Sequence, residues 1–162
     1  MKIQDIETLI EAFKALGVEE PEAWAGSELK EGIFQLARAT LLVEMASSVE
    51  VGTQSVLDYD QHEFPSARVP TILNKIKAAG VTDDDLLVLL RFASSLVVFD
   101  LCALFDGSSE VRNNPGQLAF GLAVAHDDPM SDECDLQPTD MGLHESWGTL
   151  VAEKLGKDVY WY

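Results

Sequence analysis

The run DDDLLVLLRFASSLVVFDLCALF, from Asp83 to Phe105, limits the fold more than any other stretch of the chain. Thr82 ahead of it suits an N-cap. Asp83, Asp84 and Asp85 fall in the first turn, where the helix dipole favours negative charge, and Gly107 just beyond supplies a left-handed stop. A helix over 83–105 is about 34 Å long, the span of a small domain. It is apolar on nearly every side, and such a helix is buried in a core or in a membrane. Arg91 and Asp100 argue against the membrane, because each costs about 2.5–3.5 kcal/mol at a bilayer centre, and Ser94 and Ser95 add to that cost. The expectation is therefore a buried central helix, with the other segments as its cover. On a helical wheel Arg91, Ser94, Ser95 and Val98 share one stripe, expected to face solvent. Asp100 then faces the apolar side, hydrogen-bonded to a neighbouring backbone or basic group. Leu89 and Val97 fall mid-core on this reading, so an aspartate at either is expected to abolish folding.

The remaining segments read as layers around that helix. Ile6, Leu9, Ile10, Phe13 and Leu16 recur at helical spacing, with Asp5, Glu7 and Glu11 opposite and Gly17 as the stop. Glu19–Ala25 reads as a connector in which Pro21 opens a single turn around Trp24, a plug for the core edge. Ser27 is expected to cap a helix from Glu28 to about Val49. Its two apolar stripes, Leu29, Ile33, Leu36 and Val43 and then Phe34, Ala37, Leu41 and Met45, place it between layers, with Arg38 and Glu44 as solvated or paired interruptions. Residues 50–65 read as a loop anchored by Val56 and Leu57. Pro70 then opens a short helix through Ala79 with Ile72, Leu73 and Ile76 inward, stopped by Gly80 and antiparallel to the central helix.

Beyond Gly107 the signals change. Asn113, Asn114, Pro115 and Gly116 break a loop. Residues 118–126 alternate large and small, with Leu118, Phe120, Leu122, Val124 and His126 against Ala119, Gly121, Ala123 and Ala125. That period of two favours a strand, with a helix as the alternative. Its candidate partners are the aromatic tail, 158–162, or the Val49–Leu57 segment. Asp127 to Asp140 reads as a loop. A last helix is expected over Met141 to Leu155, with Leu143, Trp147, Leu150 and Val151 inward and Gly156 as its stop. The fold class that follows is one predominantly α-helical domain, 1–162, around a buried helix 83–105, with room for a small α+β sheet from 118–126 and 158–162. A chain of 162 residues buries enough surface for a core without staples.

Charge sets the functional expectations. The net charge of −17 argues against nucleic-acid and anionic-membrane binding, which need Lys and Arg, and favours encounter with a basic partner. The N-terminus, MKIQDIETLIEAF, carries acids at once and lacks a signal-peptide core. Cys102 and Cys134 read as free thiols of a reducing compartment, which together with that N-terminus predicts a cytoplasmic protein. No Lys or Arg occurs from Asn113 to Glu153, while Asp127, Asp128, Asp132, Glu133, Asp135, Asp140, Glu145 and Glu153 do, a charge of −8. A block like this is a solvated loop, a cation site or a docking surface. The loop cluster Asp58, Tyr59, Asp60, His62 and Glu63 is a weaker cation candidate.

For a metal the candidates are His126, Asp127, Asp128, Cys134 and His144. They lack the tight local pairs that zinc sites use, and the aspartate spacing lacks the central Gly and terminal Glu of a calcium loop. No nucleophile elbow, phosphate loop or dinucleotide fingerprint is present. The expectation is no cofactor, no metal and no catalytic residue. What remains is an acidic, non-catalytic binding protein of inhibitor or immunity type that docks a basic protein through Asp127, Asp128, Asp132, Glu133, Asp135, Trp161 and Tyr162. Two alternatives stand beside it. One is a small metal-binding or hydrolytic enzyme using His126, His144 and nearby carboxylates. The other is a self-associating structural domain.

Overall fold

Asp5 starts the first helix by accepting the Thr8 amide at 2.8 Å, and α1 runs Ile6–Leu16. Gly17 ends it at φ 69°, and the amides of Gly17 and Val18 turn back onto Lys14 and Phe13. This closing motif brings Val18 against Phe13 in the core. The computed structural model describes residues 5–58, 68–106, 122–126 and 135–139, with Leu143, Ser146 and Trp147. Within it α2 spans Pro21–Glu31, α3 Gln35–Leu57, α4 Arg68–Ala78 and α5 Asp83–Phe105, and the strands β1 Leu122–His126 and β2 Asp135–Thr139 form a small sheet. The fold is predominantly α-helical, as expected, and α5 has the bounds read from the sequence.

The connector around Trp24 and the long helix from Glu28 are corrected together. Pro21 at the first helical position opens three turns rather than one, and α2 continues through Glu28 to Glu31. Gly32 then breaks the chain at φ 74°. A left-handed glycine stops a helix even where apolar periodicity continues through Ile33 and Phe34. Phe34, the residue before α3, provides no side-chain cap. Glu28 supplies the missing acceptor from the preceding helix: its buried carboxylate takes the Leu36 amide at 2.7 Å. Ser27, expected as a cap, instead accepts from the Gln35 amide side chain at 3.1 Å. α3 runs on through Leu57, so residues 50–57 of the expected loop, and with them the Val49–Leu57 strand partner, are helix, while 59–65 lie outside the described residues.

The interior face of α3 is not either of its large-residue stripes. Its buried residues are Gln35, Ala39, Leu42, Ala46, Val49 and Thr53, spaced alternately four and three apart. This is a seven-residue period built mostly from small side chains, which lets neighbouring helices approach closely. On α5 the same spacing picks out Arg91, Ser95, Val98, Cys102 and Phe105, of which Ser95 and Cys102 are buried. The Arg91–Glu50 pair and the 3.8 Å contact of Cys102 Sγ with Met45 Sδ align the two helices antiparallel. The α1–α2 pair closes the other side, packing on α3 through Leu9, Phe13, Val18 and Ala25. Trp24 lies at the core edge as expected, 5.9 Å from Phe13 and beneath Arg38.

This packing inverts the expected polarity of α5. Ser95, placed on the solvent seam by the wheel, is 5 % exposed, and Val98 packs on the core. Asp100, expected on the apolar side, is exposed. Leu89 and Val97 are 62 % and 60 % exposed, which overturns the expectation that an aspartate there abolishes folding. α5 is buried for most of its length along the Ser95–Cys102 face, where the seam favours small residues; Leu86 in the first turns, on the opposite side, is also buried, at 5 % exposed. α4 differs too. None of its residues is buried, and Ile72, expected inward, is exposed. The Lys77–Asp83 ion pair at 2.8 Å joins it to the start of α5.

The predicted strand exists as β1, over the second half of the expected range. Among the described residues its partner is β2, which pairs with it antiparallel, Leu122 opposite Thr139 and His126 opposite Asp135. DLQPT, expected as part of the 127–140 loop, is the strand β2, and Pro138 sits opposite Ala123 in it with no amide to donate to a ladder. The tail 158–162 lies outside the described residues. Of the last expected helix, Leu143 and Trp147 are buried as anticipated, while Leu150 and Val151 lie outside the described residues.

Candidate interaction face

Two polar contacts decide how α5 is turned. Arg91 reaches Glu50 on α3 with two hydrogen bonds, at 2.7 and 2.5 Å. That bidentate pairing raises the guanidinium pKa above its already high ordinary value, against the opposing effect of partial burial. Half a turn from the solvent side, Ser95 is covered by Trp147, whose indole Nε1 donates to the Ser95 carbonyl at 3.2 Å and to its hydroxyl at 3.1 Å. Ser146 beside it accepts from Arg38 on α3, so Ser146 and Trp147 are tied to α3 and α5. Trp147 and Leu143 are among the largest fully buried side chains. A buried indole needs an acceptor, and residue 95 provides two, its backbone carbonyl and the serine hydroxyl that a leucine would lack.

With Arg91, Ser95, Val98 and Cys102 turned inward, Leu89, Ala93, Val97 and Leu101 are left on the outside. They recur every fourth residue and form a continuous apolar row about 18 Å long. Val88 flanks it. Asp83, Asp84 and Asp85 stand at the N-terminal end and Asp100 beside the row, all exposed. Asp85 forms a capping box with Thr82: the Thr82 hydroxyl donates at 2.6 Å and the Thr82 amide at 3.2 Å. The hydroxyl bond first, and the amide after it, hold this carboxyl below its ordinary value of 3.8. Arg91 is the sole cation of α5, and it faces away from the row.

Of the residues proposed from sequence for partner binding, Asp135 heads β2, with its backbone opposite His126. Asp127, Asp128, Asp132, Glu133, Trp161 and Tyr162 lie outside the described residues, as do His144 and Cys134 among the metal candidates. Asp58 ends α3, and the rest of its loop cluster also lies outside the described residues. Among the described residues no three His, Cys, Asp or Glu side chains gather to hold a metal ion. Burial pushes the Cys102 thiol up to about 11, so it stays protonated at neutral pH. Ser47, Ser48 and Ser55 donate to carbonyls one turn back and saturate their own helix.

The α5 row is the part of the surface that sequence reasoning missed. Its signal is the repeat at 89, 93, 97 and 101, which an all-round apolar helix hides until the inner face is known. Among the described residues α5 is also the helix long and apolar enough to cross a membrane by length and composition. No family model, curated protein or solved structure matches the chain.

Proposed function

We propose that the chain is a non-catalytic binding protein of inhibitor or immunity type, acting in the cytoplasm on a positively charged partner protein. The observation that carries this reading is charge: −17 overall, with no Lys or Arg from Asn113 to Glu153. An apolar row edged by carboxylates on α5 supports it, because recognition surfaces combine charge that steers with apolar groups that hold. In this reading Asp127, Asp128, Asp132, Glu133 and Asp135 accelerate the encounter, and Trp161 and Tyr162 contribute buried anchors.

Capture from source lysate and mass spectrometry supply the partner, and stopped-flow association at low and high salt tests the reading. Changing Asp127, Asp128 and Asp132 to Asn and Glu133 to Gln is expected to slow association and flatten its salt dependence. Trp161→Ala is expected to speed dissociation. An association rate that the four neutralisations leave unchanged would reduce the acidic block to a solubilising segment.

A further inference from the structure

We infer that the outer face of α5 is the docking site for a basic amphipathic helix of a partner protein. The partner's apolar seam lies along Leu89, Ala93, Val97 and Leu101, and its Lys or Arg side chains meet Asp85 and Asp100. This rests on the basic-partner reading above and names the shape the partner presents.

Three observations lead there. The first is continuity. Scattered exposed apolar residues are ordinary on a protein surface, but an unbroken row marks a contact site. Leu89 at 62 %, Val97 at 60 % and Leu101 at 43 % exposed belong to one row on one rigid helix. The second is geometry. A row about 18 Å long, winding about 120° around α5, follows a partner helix that crosses α5 at an angle with anchors at i, i+3 or i+4, and i+7. The third is charge complementarity. Asp85 and Asp100 project within about 40° of Leu89 on the helical wheel and stand about 22 Å apart along it. Asp83 and Asp84 add to the negative end. The single cation of the helix, Arg91, is turned inward and held by Glu50. An occupant of this face therefore meets hydrocarbon bordered by carboxylates. A second copy of α5 would bring further carboxylates against these, and an anionic membrane would be repelled by them. A helix with leucines on one face and lysines along its edges satisfies both the row and its border.

The test uses three synthetic peptides of about 18 residues, the length set by the row and its flanking carboxylates. The first is made of Leu and Lys with leucines at helical spacing. The second has the same composition with that spacing scrambled. The third replaces each Lys of the first with Glu. Binding is measured by titration calorimetry against the full chain, its Leu89→Ser/Val97→Ser variant and its Asp100→Lys variant. The spaced Lys peptide is expected to bind at least about tenfold tighter than the scrambled one. The serine variant is expected to lose that margin while keeping the wild-type melting temperature. Asp100→Lys, a change at an exposed position, is expected to weaken the spaced Lys peptide without touching the row, and it keeps the test decisive if the serine variant folds poorly.

Equal affinity for the two Lys peptides, both above the Glu peptide, would overturn helix docking and leave the basic-partner reading standing. Lys peptides that bind no better than the Glu peptide would overturn both. Unchanged binding by the serine variant, correctly folded, or by Asp100→Lys would also overturn this assignment. A dimer seen by light scattering, or sedimentation with phosphatidylcholine vesicles, in either case abolished by the serine variant, would assign the face to a second copy or to lipid instead.

Discussion

Glu28 shows how much a single side chain contributes when the local sequence lacks what a helix needs. α3 starts without a capping side chain of its own, and the Glu28 carboxylate, eight residues back and buried, takes the Leu36 amide. Glu28→Ala leaves that amide without its acceptor, and chemical denaturation is expected to show a loss of about 1–2 kcal/mol. Glu28→Gln, which keeps an acceptor oxygen, is expected to recover part of it. Asp5 and Asp85 act at the surface. Each accepts a hydroxyl and an amide bond that lowers its carboxyl pKa below 3.8. A carboxyl held low in the folded state stabilises the fold fully above its unfolded pKa, and the contribution is lost as pH falls through the lowered folded value. Melting temperature followed from pH 5 to pH 2 is therefore expected to drop less steeply in Asp85→Asn than in the wild type.

At the scale of elements, the pairing of α3 with α5 rests on small residues meeting at a seven-residue period. Ala46 is buried in that seam and Val97 lies 60 % exposed on the far side of α5. The two positions are expected to respond oppositely to substitution. Ala46→Leu inserts three carbons where the helices are in contact and is expected to cost about 1–3 kcal/mol by thermal or chemical melt. Val97→Asp places a charge in water and is expected to shift stability by about 0.5 kcal/mol or less. A cooperative melt of Val97→Asp near the wild-type temperature would show that the outer row is not held for folding. That outcome leaves recognition as its use.

Across the whole molecule, the α3–α5 pair is closed by residues far along the chain. Leu143 and Trp147 are almost completely buried, Trp147 bonds to Ser95 on α5, and Ser146 bonds to Arg38 on α3. Trp147→Ala removes a large buried side chain and strands the Ser95 hydroxyl. The expected cost is about 3–5 kcal/mol, a large part of the stability of a domain this size, read as a lowered denaturation midpoint. Trp147→Phe separates the two contributions, because it keeps most of the volume and loses only the hydrogen bond.

α1, α4 and α5 were legible in the residue order, whereas α2 and the bounds of α3 were not. Thr82, the aspartates and the apolar run define α5 to the residue, and Gly17 and Gly80 stop α1 and α4 where a left-handed residue is required. Alternating side-chain size identified β1. Local chemistry decides such features, because caps, stops and periodicity act within a few residues. Which face of each helix turns inward was decided only in three dimensions. Arg91 and Ser95 look like solvent residues until Glu50 and Trp147, 41 and 52 positions away, satisfy them. Ala39 and Ala46 look incidental until close helix packing makes smallness the requirement. Pro138 looks like a loop residue until its pairing opposite Ala123 places it in a strand. Net charge and the missing Lys and Arg of 113–153 belong to composition alone, so the acidic character was fixed before folding. The apolar row on α5 was not, because an exposed face exists only once the opposite face has been chosen.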